Sequence, residues 1–238
     1  MSNWPSTRLD DAKHAHEKGI EMPINIEGVE FSGFPGRDFP KLTGLSFQGR
    51  VAWVEYRFQA FFLDTFDRVV SLENESYIWL CVVNLLTSAV EALAHFEFND
   101  RSGQIRFAHF IERYFDPAFR VPMRLGEPPN AEGRRALTSA EQFYKYFRSG
   151  LAHSFCIEWG GLQHREEGAT AYLFETPQGH HGERALAIAP RELVEDFREA
   201  AKRYFVALRA RHPHEPEYIQ FNDRFEGVYH NKMAPPLP

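Results

Sequence analysis

Apolar side chains recur at three- and four-residue spacing from Phe47 onward. Phe47, Val51, Val54, Phe58, Phe61, Phe62, Thr65 and Val69 fall on one face, which predicts an amphipathic helix. Residues 76–98 predict a second helix, apolar on most sides, of the kind that runs through the middle of a bundle. Ser102-Gly103 precede a third, about residues 104–115, that stops near Pro117. Residues 117–137, with Pro122, Pro128-Pro129 and Gly133, read as a loop. Thr138-Ser-Ala-Glu141 has the form of a capping box, so a helix starts there and fades by Gly160-Gly161. The period then changes. Ala171, Leu173, Ala185, Leu186 and Ile188 bracket Pro177-Gln-Gly-His-His-Gly182, which predicts a hairpin with a long tip. Pro190 suits the first position of a last helix to about residue 211, with Leu193, Phe197, Ala200, Ala201, Tyr204 and Leu208 on its inner face.

The ends read differently. Residues 1–46 carry Pro5, Pro23, Pro35 and Pro40, so regular helix is expected there only over about residues 9–18. Ile24, Ile26, Val29 and Phe31 flank Glu27-Gly28 and suit a small extended hairpin. Residues 212–238 read as a proline-bearing tail. The expected architecture is a mainly α single domain over residues 1–238. It has an extended arm (1–46), a helical bundle (47–211) with one short β-hairpin at about 170–189, and an extended tail (212–238).

Composition narrows the function classes. Among 238 residues, 22 are phenylalanine, which predicts an aromatic core between helices. The formal net charge of -6 gives no global attraction to nucleic acid or anionic membrane, so any such site is a local patch. Cys81 and Cys156 each lie in an apolar run and are expected to be buried free thiols in a reducing compartment. The N-terminus lacks a charged-then-apolar signal pattern, and the apolar run at residues 77–86 is short for a bilayer. A cytoplasmic location without membrane attachment is the expectation.

The sharpest chemistry lies in Arg148-Ser-Gly-Leu-Ala-His153. On an ideal helix five residues turn ~500°, so Arg148 and His153 point ~140° apart. Ser149 and His153, four apart, share a face. The pair converges only if Arg148 curls round, if the helix distorts at Gly150, or if a second copy of the helix lies opposite. A two-fold homodimer would supply that copy. Arginine is a bidentate phosphate donor and histidine a proton carrier near neutral pH. The plain alternative is a hydrogen-bonded core histidine and an arginine whose head reaches the surface.

A second constellation lies on the 76–98 helix. Asn84, Ser88, Glu91 and His95, spaced four, three and four, form one polar stripe. It reads either as the wet side of an amphipathic helix or as polar groups facing the first pair. Between residues 101 and 135, seven arginines (Arg101, Arg106, Arg113, Arg120, Arg124, Arg134, Arg135) outnumber four acids. With Phe107, Tyr114 and Phe119 they suit either a nucleic-acid track or an ordinary core with solvated arginines. His14/His16, His180-His181 and His212/His214 lack cysteine partners at zinc spacing, so no metal site is expected. A Gly-rich phosphate loop, nucleophile elbow or dinucleotide fingerprint is not found. No cofactor is expected.

Arg148-Ser-Gly-Leu-Ala-His153 resembles the R-x4-6-H signature of the HEPN superfamily, helical domains of toxin–antitoxin, abortive-infection and RNA-processing systems. The resemblance covers roughly residues 47–211. It implies a helical bundle that is either a metal-independent endoribonuclease of toxin or defence type, acting on RNA, or a non-catalytic module that dimerises, binds nucleotides or regulates a partner; the homodimer is the expectation from the helix geometry above. A toxin-type member would also have an antitoxin partner. In catalytic members asparagine often follows the arginine; here Ser149 does. By the resemblance, His153 would move the 2′-hydroxyl or leaving-group proton and Arg148 would stabilise charge on the phosphorane. Ser149 and Glu91 would orient the pair, and Asn84, Ser88 and Tyr144 would contact substrate.

Overall fold

The computed structural model describes residues 24–31, 41–71, 78–115, 117–120, 137–154, 157, 160–162, 173–177 and 184–229. The fold is mainly helical, as the periodicity predicts. Two compact units divide the chain: Met1–Glu55 with Phe225–Pro238, and Tyr56–Arg224.

In the first unit, β1 (Ile24–Ile26) and β2 (Val29–Phe31) pair antiparallel, with Ile24 opposite Phe31. Glu27 and Gly28 both take positive φ, 54° and 81°, which a two-residue turn between twisted strands requires. The Glu27 carboxylate accepts from the Ser46 backbone N–H at 3.0 Å and from the Ser46 hydroxyl. Those bonds hold its carboxyl below the usual range. A Cβ at Gly49 would stand 2.6 Å from Glu27 Oε2, so only glycine lets this carboxylate lie against the helix start. Phe31 and Trp53 are fully buried, with rings 4.8 Å apart. Leu42, Leu45, Val51 and Val54 complete this core.

Helix α1 (Phe47–Phe58) runs through a π turn, Gln59–Leu63, into α2 (Asp64–Val70). The π turn corrects the periodicity reading. Its extra residue shifts the phase, so the buried position after Phe58 is Phe66, eight residues on. Phe61, expected on the inner face, is 55% exposed.

In the second unit, α3 (Ile78–Glu97) packs against α4 (Gly103–Tyr114). A 3₁₀ turn follows at Pro117–Arg120. The capping box forms at Thr138/Glu141 and opens α5 (Ser139–Gln142). A second π turn, Phe143–Arg148, leads into α6 (Ser149–Ser154). The helix ends there; Gly160-Gly161 instead begin strand β3 (Gly160–Leu162). The expected hairpin is β4 (Leu173–Pro177) with β5 (Arg184–Ile188), and β3 joins it parallel to β5. Helix α7 (Pro190–Arg209) starts on its proline and packs on α3 and α4.

The expected C-terminal tail is corrected. Residues Pro216–Tyr229 form α8, which starts on proline, and Phe221 and Phe225 are fully buried. The core of the second unit is aromatic. Phe197 sits 5.6–6.1 Å, ring to ring, from Phe58, Phe66 and Phe115. Phe143 touches Phe107, Phe119 and Phe147. Phe107, Tyr114 and Phe119 are therefore core rings and do not form a base-stacking surface. Cys81 is exposed, against expectation, because it shares the outward stripe of α3 with Asn84 and Ser88. Cys156, His14, His16, His180, His181, Arg124, Arg134 and Arg135 lie outside the described residues, as do the helix expected over residues 9–18 and residues 121–136 of the predicted loop.

By length and composition alone α3 matches a membrane span; half of that stretch is buried inside the fold. Its outward side carries Asn84, Ser88 and Glu91.

Candidate functional site

The second π turn builds the site. The Ser149 N–H donates to the Tyr144 carbonyl, five residues back, which widens the helix by one residue. Phe143, Tyr146, Phe147, Gly150 and Leu151 take the buried side. Tyr144 and Arg148, four apart, are left on a half-buried edge.

Arg148 reaches across to α3. Its Nε and Nη2 donate to Glu91 Oε2 at 3.0 and 2.7 Å. The pair is 24% and 30% exposed, so it contributes only ~0.2–1 kcal/mol to stability. Its value is geometric: one edge of the guanidinium is fixed, and Nη1 has no partner among the described residues. The Arg148 guanidinium also lies 5.8 Å from the Tyr144 ring centre. That ring packs edge-on to buried Phe107 at 5.2 Å.

The same corner meets the start of α4. A Cβ placed at Gly103 would stand 3.2 Å from the Tyr144 hydroxyl, 3.4 Å from Glu91 Oε1 and 3.9 Å from Arg106 Nη2. Ser102 caps this helix by accepting from the Ile105 N–H. Arg106 donates through Nη1 to the Asp100 carbonyl, while its Nε is buried without a partner among the described residues.

Arg148, Glu91 and Tyr144 thus converge. Ser149, His153, Asn84 and Ser88 make no side-chain hydrogen bond or ion pair with them among the described residues. His153 is exposed and lies past the return to α geometry. Ser149 is half-buried and caps the π turn through its backbone. Asn84 and Ser88 are exposed, and the Ser88 hydroxyl donates to the Asn84 carbonyl at 2.9 Å. His95 lies on the half-buried edge of the stripe beside Phe96. Among the described residues no three His, Cys, Asp or Glu side chains converge as a metal site needs.

A second polar cluster was missed in the sequence because it joins four distant segments. Glu97, with its side chain 1% exposed, accepts from the Tyr114 hydroxyl at 2.7 Å and from Arg113 at 2.9 Å. Arg113 and Arg211 both meet Oε1 of Glu217 in α8, at 3.4 and 3.5 Å. Tyr204, fully buried, stacks edge-on to Tyr114, and its hydroxyl has no partner among the described residues. A cleft of about 510 Å³ opens beside Glu97, Phe98, Arg113, Glu217, Gln220 and Asp223. Burial pushes the Glu97 carboxyl up, against the Tyr114 hydrogen bond and the Arg113 charge. Burial, then the Glu97 charge, push the Tyr114 hydroxyl up as well.

The sign of the pH effect follows. A raised carboxyl pKa means that the folded state binds more protons than the unfolded one just above the usual carboxylate range. Glu97 therefore favours the fold on the acid side, and this contribution is lost as pH rises through its raised value. Urea midpoints measured from pH 4.5 to 7.5 are expected to show wild type losing stability relative to Glu97→Gln as pH increases. Parallel curves would contradict this.

Comparison with protein-family models, with curated proteins and with solved structures finds no match to this chain.

Proposed function

We propose that the protein binds the phosphate of RNA or a nucleotide, with Arg148 as anchor, as a HEPN-like helical module. The observation that carries this reading is the clamped guanidinium. Glu91 takes the Nε–Nη2 side, and Nη1 is open among the described residues. A guanidinium held by one edge presents the other to a phosphate with little further loss of rotamer freedom. The Tyr144 ring lies 5.8 Å from the same guanidinium.

Binding is favoured over cleavage within one chain because His153 is exposed and shares no hydrogen bond with Arg148 or Glu91 among the described residues. Cleavage is the second reading, and it requires a second copy that brings its His153 to this Arg148. His153 would then transfer the 2′-hydroxyl proton, a role contributing ~10²–10⁴-fold in rate.

The test uses the purified full chain, single-stranded RNA at low salt, and EDTA throughout. Binding that weakens with salt and with Arg148→Ala is the expected result. If the second reading holds, RNA is also cut, light scattering gives a dimer mass, and His153→Ala stops cutting while leaving binding. Wild type that neither binds nor cuts RNA or nucleotides would overturn both readings.

A further inference from the structure

We infer that the cleft between the end of α3 and the start of α8 binds a small primary amine as its ammonium, with Glu97 as the counter-ion. The inference is independent of the phosphate reading, and the cleft shares no lining residue with the Arg148 corner. Its volume, about 510 Å³, lies within the roughly 300–1,000 Å³ of small-molecule sites. Glu97 lines this cleft with a side chain only 1% exposed. Both of its bonds, from the Tyr114 hydroxyl and from Arg113, fall on Oε1. Oε2 has no partner among the described residues and keeps its opening to solvent through the cleft. A carboxylate oxygen held in a buried wall is costly unless a donor comes to it.

The arginines nearby are already engaged. Arg113 is shared by Glu97 and Glu217, and Arg211 by Glu215 and Glu217. Arg224 turns to Asn99 Oδ1 at 3.2 Å. Asp223 also lines the cleft, is exposed, and has no partner among the described residues. The unspent charges at the cleft are therefore negative, which repel an anion and draw a cation.

The cation is organic. Among the described residues no three His, Cys, Asp or Glu side chains converge as a metal ion needs. Phe98, Pro216 and Ile219 give the cleft apolar wall, and Ile219 is 49% exposed. An ammonium on a short aliphatic body matches both parts. Its N–H donors suit Glu97 Oε2 and Asp223, and its carbons cover Phe98 and Ile219. A quaternary ammonium has no N–H to give Glu97 Oε2, so a primary amine is the better fit.

The experiment follows the backbone amide shifts of the full chain by NMR as three compounds with one aliphatic body are added: isopentylamine, isopentanol and isovalerate. The amine is expected to bind in the millimolar range or tighter, with shifts centred on residues 97–99 and 216–223. The alcohol, similar in shape but uncharged, should bind about tenfold more weakly, and isovalerate should not bind. Glu97→Gln removes the counter-ion and should weaken amine binding about tenfold or more. Asp223→Asn should weaken it about threefold, because that carboxylate is exposed. Asp223 makes no bond that the fold needs among the described residues, so this variant carries the test if Glu97→Gln fails to fold. Equal binding of amine and alcohol would overturn the ammonium site and leave an apolar groove. Amine affinity unchanged in every folded variant would also overturn it, as general attraction to an acidic surface. So would an amine that moves no signals in the cleft at concentrations up to about 50 mM. Loss of affinity in either variant, with the alcohol weaker than the amine, supports the site.

Discussion

Phe197→Ala is expected to destabilise the fold by ~3–5 kcal/mol, the cost of truncating a large ring in a closed core. Phe197 has no exposed surface and meets Phe58, Phe66 and Phe115, drawn from three other segments of the second unit. No single neighbour can collapse into the space. Since small proteins are stable by only ~5–15 kcal/mol, such a loss takes a large share of the total. Phe61→Ala is the matched control. Phe61 is 55% exposed, so its change should stay within ~0.5 kcal/mol. Urea midpoints of the two variants check the contrast. Equal losses would mean that the π turn does not set the phase described for Gln59–Leu63.

That contrast also marks where the sequence stopped being legible. Local signals with their own chemistry were readable. Alternating Ile24, Ile26, Val29 and Phe31 around Glu27-Gly28 specify a hairpin, and Thr138 with Glu141 specify a helix start. Both need only residues a few positions apart. The π turns were not readable, because a one-residue slip leaves composition unchanged and only displaces the phase. Periodicity alone accordingly places Phe61 inside. The sequence over helix α8 reads as tail because Pro213 and Pro216 look like breakers. Pro216 instead occupies the first helical position, and Phe221 and Phe225 carry the inner face. At the site, Arg148 and Glu91 were legible as two separate constellations. Their meeting depends on the π turn, which aims Arg148 at α3. The Glu97 cluster joins residues of α3, α4 and α8 with Arg211, and left no local pattern.

Arg148→Ala is expected to weaken RNA or nucleotide binding by about 10- to 100-fold, since charge-assisted hydrogen bonds contribute ~1.5–3 kcal/mol. The fold should lose at most ~1 kcal/mol, because the pair with Glu91 is partly exposed. Loss of binding without loss of stability separates a binding role from a structural one. Arg148→Lys keeps the charge but lacks the planar fork, and cannot hold Glu91 with one edge while offering another. It should fall between wild type and alanine in affinity while keeping most of the salt dependence. If lysine binds as well as arginine, the clamped geometry carries no weight and only the charge matters.

The salt dependence of RNA binding, measured side by side for wild type and Arg148→Ala, tests the central claim most directly. Each phosphate contact releases about one counterion, so the logarithmic slope should be shallower by about one in the variant, with weaker binding at every salt concentration below the crossing of the two lines. Superimposable lines for the two proteins would contradict Arg148 as the phosphate anchor.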